Sequence, residues 1–168
     1  MYGIVALVVF ALLASLAVAT ADGATVPSLL LPAVELVELA PPDQRYDQRE
    51  DAARVAMLGA QLRRALAASP RYRLLDATAM ARPPYRYLDC KACMADWARR
   101  QGADFVLVTW VQKESRLILM INMALIDVAH PDRPAAGGSI DLRGDTDATW
   151  LAGASQLLER TAGVSLPP

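Results

Sequence analysis

The chain has 168 residues, 17 of them Lys or Arg and 18 Asp or Glu, for a formal net charge of −1. That balance excludes a strongly basic nucleic-acid binder and a polyacidic tail, and two cysteines exclude a disulfide-dense scaffold. A single histidine excludes a multi-histidine metal site, and the length points to one domain.

The first 21 residues carry no charged side chain, and Ile4 to Ala21 is apolar apart from Ser15 and Thr20. At about 18 residues the run is near the lower limit for a membrane span. Ala19-Thr20-Ala21 supplies the small-residue pattern of signal-peptidase cleavage, and the polar break Asp22-Gly23 follows it. Residues 1–21 are therefore expected to be a signal peptide. A retained inner-membrane anchor is the alternative, because Met1-Tyr2-Gly3 offers no Lys or Arg. Residues 22–168 are expected to form one exported domain, periplasmic or secreted, that meets a membrane only if 1–21 are kept.

Leu29 to Leu39 reads as a strand, with Pro32 forcing an edge position or a bulge. From Gln48 to about Ser69, Val55, Leu58, Leu62 and Leu66 recur at spacings of three and four, with Arg54, Gln61, Arg63 and Arg64 on the other face. This is an amphipathic helix with Asp47 as N-cap and Ser69-Pro70 as its stop. Tyr72 to Leu75 is a short strand, Asp76 caps a helical turn before Pro83-Pro84, and Cys90 to Gln101 is a second helix ended by Gly102. Phe105–Lys113 and Leu117–Asp127 form a hairpin whose apolar runs predict central strands covered on both sides, or on one side plus a partner. His130 to Gly138 reads as a turn, Ser139–Arg143 as a fifth strand, and Asp147–Ala162 as a closing helix. That helix would bury Trp150, Leu151, Ala154, Leu157 and Leu158. The order β-α-β-α-β-β-β-α is an α/β fold: a single mixed sheet of about five strands with two to three helices packed on it.

Gly102-Ala103-Asp104 leading into the strand Phe105–Gln112, and a second strand ending Ile126-Asp127-Val128, carry a resemblance. With the first helix and the Tyr72-Arg73-Leu74-Leu75-Asp76 that follows it, this region resembles the amino-terminal domain of TolB. It resembles more closely an uncharacterised family of predicted secreted bacterial proteins, a domain of unknown function. Cys90-x-x-Cys93, Trp110-Val111-Gln112-Lys113 and Asp141-x-Arg143-Gly144-Asp145-Thr146-Asp147 are the shared features. The resemblance spans about Leu29 to Leu158 and implies a TolB amino-terminal-like fold, without implying a reaction.

Cys90-Lys91-Ala92-Cys93 is the sharpest local motif. In an oxidising compartment the pair is expected to close a structural disulfide at the start of the second helix. Thiol–disulfide exchange is the functional alternative, since a helix N-terminus stabilises a thiolate. Met94 follows Cys93, which excludes covalent haem attachment. His130 is expected on a surface turn, Trp97, Trp110 and Trp150 in the core, Asn122 as a satisfied buried amide, and Asp145, Thr146 or Asp147 as a helix cap.

No phosphate loop, nucleophile elbow or metal-ligand set is legible, so no catalytic residue, metal or cofactor is expected. Residues 45–100 hold twelve basic and six acidic side chains, and the remainder five basic and twelve acidic. A partner-binding surface is therefore expected at Arg54, Arg63 and Arg64 on the first helix, with Tyr85, Arg86 and Tyr87 in the Pro-rich segment. The reading is an exported non-catalytic module that binds a protein or envelope component, not nucleic acid. A periplasmic thiol-redox accessory protein using Cys90 and Cys93, or an anchored subunit of an envelope complex, are the alternatives.

Overall fold

The computed structural model describes residues 25–41, 48–76, 83, 86–115 and 117–166. In chain order the elements are β1 (Ser28–Leu30), β2 (Glu35–Glu38), α1 (Gln48–Ala68), β3 (Arg73–Leu74), α2 (Lys91–Arg100), β4 (Phe105–Lys113), β5 (Ile118–Asp127), β6 (Ala136–Arg143) and α3 (Asp147–Ala162). They form one open, mixed sheet of six strands in the order β3-β1-β4-β5-β6, with β2 alongside β4. The α/β architecture read from the sequence is the one found. Residues 1–24, Asp47, and the turn expected after Asp76 lie outside the described residues.

The hairpin β4–β5 is the centre, paired without a break from Phe105↔Asp127 to Lys113↔Leu119. Its side chains alternate between two helical layers, which is why both strands are apolar on both faces. Leu107, Val111, Leu119, Ile121 and Met123 pack with Leu58, Leu62 and Leu66 of α1 and Trp150, Leu157 and Leu158 of α3. Val106, Val108, Ala124 and Ile126 pack instead with Met94, Trp97 and Ala98 of α2. Each fully buried leucine contributes about 1.5–3 kcal/mol of transfer free energy. Leu151, expected in the buried stripe of α3, is only half-buried.

Two expectations for strands are corrected. The single strand expected over Leu29 to Leu39 is two, and both pair in parallel with β4: Leu30↔Val106 in β1, then Glu35↔Trp110 in β2. Five residues along one strand stand against four along the other, so the segment around Pro32 is a one-residue bulge. Leu29 and Leu31 face α1 before the bulge, and Leu36 does so after it. The last strand begins at Ala136 and not at Ser139, so Gly137 and Gly138 lie inside β6. A Cβ at Gly137 would come within 2.9 Å of the Met123 carbonyl oxygen, so the backbones approach where only glycine fits.

Thr146 caps α3. Its hydroxyl accepts the Thr149 N–H, and the Thr149 hydroxyl accepts the Thr146 N–H in return. Gly163 ends the helix in the left-handed conformation, φ 65°. The acidic first turns of α1 and α3 then meet the end of β4. Lys113 is 2% exposed there, and its Nζ donates to Asp51 Oδ1 at 2.5 Å and Asp145 Oδ2 at 2.6 Å. Burial pulls the Lys113 amine down, yet hydrogen bonds and charge from Asp145 and Asp51 outweigh it, and the group sits above its ordinary value.

Arg54 completes the cluster. It donates from Nη2 to Glu50 at 2.7 Å and from Nε to Asp147 at 3.1 Å, and its Nη1 stands 3.2 Å from Asp145 Oδ1. Asp145 Oδ1 also accepts the Trp150 indole N–H at 2.9 Å.

Replacing Lys113 by Met should cost about 3–5 kcal/mol in urea unfolding, because it strands two buried carboxylates. Asp104 supplies a pH test at the other end of β4. It accepts the Ser28 hydroxyl and N–H, each at 2.7 Å, and these bonds hold its carboxyl below its ordinary value. A lowered carboxyl stabilises the fold above the unfolded value of about 3.9 and loses that contribution as pH falls through the folded value. Melting curves of Asp104→Asn should therefore fall less steeply than wild type below about pH 4.

Candidate partner-binding surface

The five described residues of the six expected to form one surface do not come together. Arg54 is buried, 8% exposed, inside the cluster with Asp51, Asp145, Asp147 and Glu50, so its expected place on the solvent face is corrected. The reason lies in spacing: Asp51, Arg54, Leu58, Leu62 and Leu66 follow the same three-and-four rhythm and share the buried stripe of α1. Tyr87 is also buried, 4% exposed, against Trp110 on the α2 side of the sheet. Tyr85 lies outside the described residues. Arg86 is exposed, with both guanidinium branches on Asp89 at 2.9 and 3.0 Å. Hydrogen bonding and charge from that carboxylate raise the Arg86 value, and Asp89 is lowered in return.

Arg63 and Arg64 lie on the face of α1 where they were expected, away from its buried Leu58–Leu62–Leu66 stripe, Arg63 half-buried and Arg64 exposed. Arg63 and Arg73 line one open groove of about 460 Å³ together with Tyr72, Leu74, Leu75 and Asp76. Tyr72 is fixed there by an edge-on contact with Phe105, ring centres 6.1 Å apart. None of the ion pairs among the described residues involves Arg63, Arg64 or Arg73. Arg73 was not singled out in the sequence. Its two-residue strand carries no charge pattern of its own, and only the β1–β3 pairing brings it beside α1.

Cys90 and Cys93 have their sulfurs 2.01 Å apart, the separation of a disulfide. Cys90 is the N-cap of α2, its Sγ accepting the Cys93 N–H at 3.2 Å. The segment before it is a turn, held by the Asp89 and Cys90 N–H groups on the Arg86 carbonyl, and no strand leads into the pair.

His130 stands on an exposed turn with Nδ1 2.9 Å from Asp127 Oδ2. Asn122 is buried and satisfied: its Nδ2 donates to Gln112 at 3.0 Å and its Oδ1 accepts from the Ser139 hydroxyl at 2.6 Å. Trp97 and Trp150 are core residues, whereas Trp110 is half-buried. Among the described residues no group of three or more His, Cys, Asp or Glu side chains is arranged to hold a metal ion. The acidic cluster around Lys113 is committed to protein cations, which suits it to holding helices together rather than to moving protons.

The DUF3280 family model, described as "Protein of unknown function (DUF2380)", matches residues 28–161. No curated protein matches the sequence. Among solved structures, the C-terminal domain of LpoB from Escherichia coli is similar at 20% identity and a TM-score of 0.49, over 73% of this chain and 87% of that one. The LpoB C-terminal domain from Salmonella enterica gives 20% identity and a TM-score of 0.46 over the same shares. The PelC dodecamer from Paraburkholderia phytofirmans gives 13% and 0.45, over 80% of this chain and 87% of that one. At these identities the likeness is one of fold alone. A family of unknown function was the nearer of the two resemblances in the sequence, and the one to the TolB amino-terminal domain is not carried further.

A Cys90→Ser/Cys93→Ser double variant should stay folded and lose about 2 kcal/mol, since a bridge across so short a loop removes little chain entropy. Chemical unfolding and thiol labelling before and after reduction check this. Loss of an insulin-reducing activity by the folded variant would favour the redox reading instead.

Proposed function

We propose that this chain, which belongs to the DUF3280 family, is an exported, non-catalytic α/β module that holds a protein or other envelope component on the arginine-lined side of α1. The observation that carries the reading is the contrast between two sets of arginines. Arg54 is enclosed by four carboxylates, and Arg86 is matched by Asp89. Arg63 and Arg73 line the groove beside Tyr72 and Asp76, Arg64 stands exposed on the same helix as Arg63, and none of the three enters an ion pair among the described residues. A guanidinium is weakly hydrated and presents a planar fork of donors, so such a set suits carboxylate or phosphate groups on a partner.

Export rests on residues 1–21, whose apolar run and Ala19-Thr20-Ala21 are those of a cleaved signal. Among the described residues no helix is long and apolar enough to cross a membrane.

The test is salt. Attraction through exposed arginines is screened beyond about 8 Å at physiological ionic strength, so affinity for the partner recovered from envelope extract should fall steadily as salt rises. Association should slow more than dissociation quickens. Arg63→Glu/Arg64→Glu should weaken binding about tenfold or more and leave the melting temperature nearly unchanged, because exposed charges contribute little to stability. An affinity indifferent both to salt and to the charge reversal would overturn the reading and direct attention to the free edge of β2.

A further inference from the structure

α2 covers only part of its side of the sheet, over Val106, Val108, Ala124 and Ile126. Beside it on that face lies an open cleft of about 430 Å³, lined by Tyr87, Trp110, Ala124, Pro134, Gly137 and Ser139. The Tyr87 and Trp110 rings meet there at 5.5 Å with their planes 43° apart, which makes an angled aromatic cradle.

Two buried polar atoms at this corner have no hydrogen-bond partner, Trp110 Nε1 and Glu35 Oε2. Glu35 does not line the cleft; it stands next to it, on the β2 side of Trp110, and its other oxygen accepts the Tyr87 N–H at 3.4 Å. Burial lifts the Glu35 carboxyl above its ordinary range, against the opposing effects of that bond and of Arg86. A buried donor or acceptor left unmatched costs about 1–3 kcal/mol. Phe and Leu would fill the same volumes without it, so the residues present are suited to a group that arrives from outside.

The chemistry of that group follows from what is already engaged. Side-chain amides would serve sugar hydroxyls, but Asn122 on this face is already engaged on both sides, donating to Gln112 Oε1 and accepting from the Ser139 hydroxyl. What remains is an aromatic cradle with one indole donor and one carboxylate acceptor. A polyproline II segment matches all three: it offers pyrrolidine rings, free backbone carbonyls, and little conformational entropy to lose. We infer that the Tyr87–Trp110 cleft binds an extended, proline-rich segment of a protein partner, with a peptide carbonyl taking the Trp110 N–H and a basic side chain taking the Glu35 carboxylate. Both atoms are shielded, so docking requires the Tyr87 ring to swing outward. The site lies across the sheet from Arg63 and Arg64 and stands independently of the basic surface.

Calorimetric titration of the chain purified from its host tests this with four probes: decaproline with a terminal arginine, plain decaproline, a Gly/Ser peptide of equal length, and chitotetraose. The arginine-bearing peptide should bind saturably, plain decaproline more weakly, and the other two not at all. Trp110→Phe keeps a ring and removes the N–H, and should lower affinity for both proline peptides about five- to tenfold. Glu35→Gln should reduce the arginine-bearing peptide to the level of the plain one. Circular dichroism establishes that each variant is folded; if either is not, Pro134→Asp, at an exposed position in the cleft wall, should weaken binding in its place. Absence of binding by both proline peptides, preference for chitotetraose, or unchanged affinity in the folded variants would overturn the inference. Reversal of Arg63 and Arg64 should leave plain decaproline binding intact, which separates this outcome from that of the basic surface.

Discussion

The placement of both helices on the α1/α3 side depends on one amine. Lys113 ends the central strand, and its Nζ lies between a carboxylate from the first turn of α1 and one from the segment that leads into α3. Apolar helix faces alone could slide over the sheet by a turn at modest cost, since leucine packs on leucine in more than one register. Two directional ion pairs at opposite sides of one nitrogen do not allow this. The N-terminal ends of the two helices add their partial positive charge, which favours the acids gathered there, and Arg54 ties Asp145 and Asp147 back to α1. Such a cluster adds little net stability over apolar packing of the same volume, yet it is costly to break.

The elements that announced themselves in the sequence did so through a single rhythm. β4, β5 and α3 have hydrophobic periods long enough to fix type and limits, and Thr146 caps α3 within the Asp145–Asp147 run where a cap was expected. Arg54 was legible in principle, since it keeps the spacing of the buried stripe, but a charge on such a stripe reads as solvated until its partners are known. Glu50 and Asp51 stand on the same helix, but Asp145 and Asp147 are separated from Arg54 by about ninety residues of chain, and no local pattern connects it to them. Gly137 and Gly138 read as a turn because glycine usually marks one. Their place inside β6 is set by the nearness of the β5 backbone, which is a tertiary fact. The count of about five strands against six turns on the bulge at Pro32, where one run of sequence pairs in two pieces.

The two sides of the sheet are built differently, and the candidate surfaces follow that division. The α1/α3 side is closed by leucines and locked by ions, so the arginines it leaves outside the ion cluster lie on the outer surface of α1 and the short strand beside it. The α2 side is covered by a ten-residue helix over only part of the sheet, and beside it the Tyr87 and Trp110 rings shield two unmatched polar atoms. One charged and one aromatic contact region are thus proposed, on opposite sides of a single core.

The bulge between β1 and β2 sets a rule for the length of that connection. Side chains of a strand alternate strictly, so a shift of one residue exchanges the two faces. The extra residue near Pro32 is what turns Glu35 and Val37 toward α2 and Leu36 toward α1. Deleting it would drive the Glu35 carboxylate among Leu58, Leu62 and Val111 while sending Leu36 outward. Leu31 and Val34 pack in the core and are held to their size, and insertions or deletions between them are compatible with the fold only in steps of two.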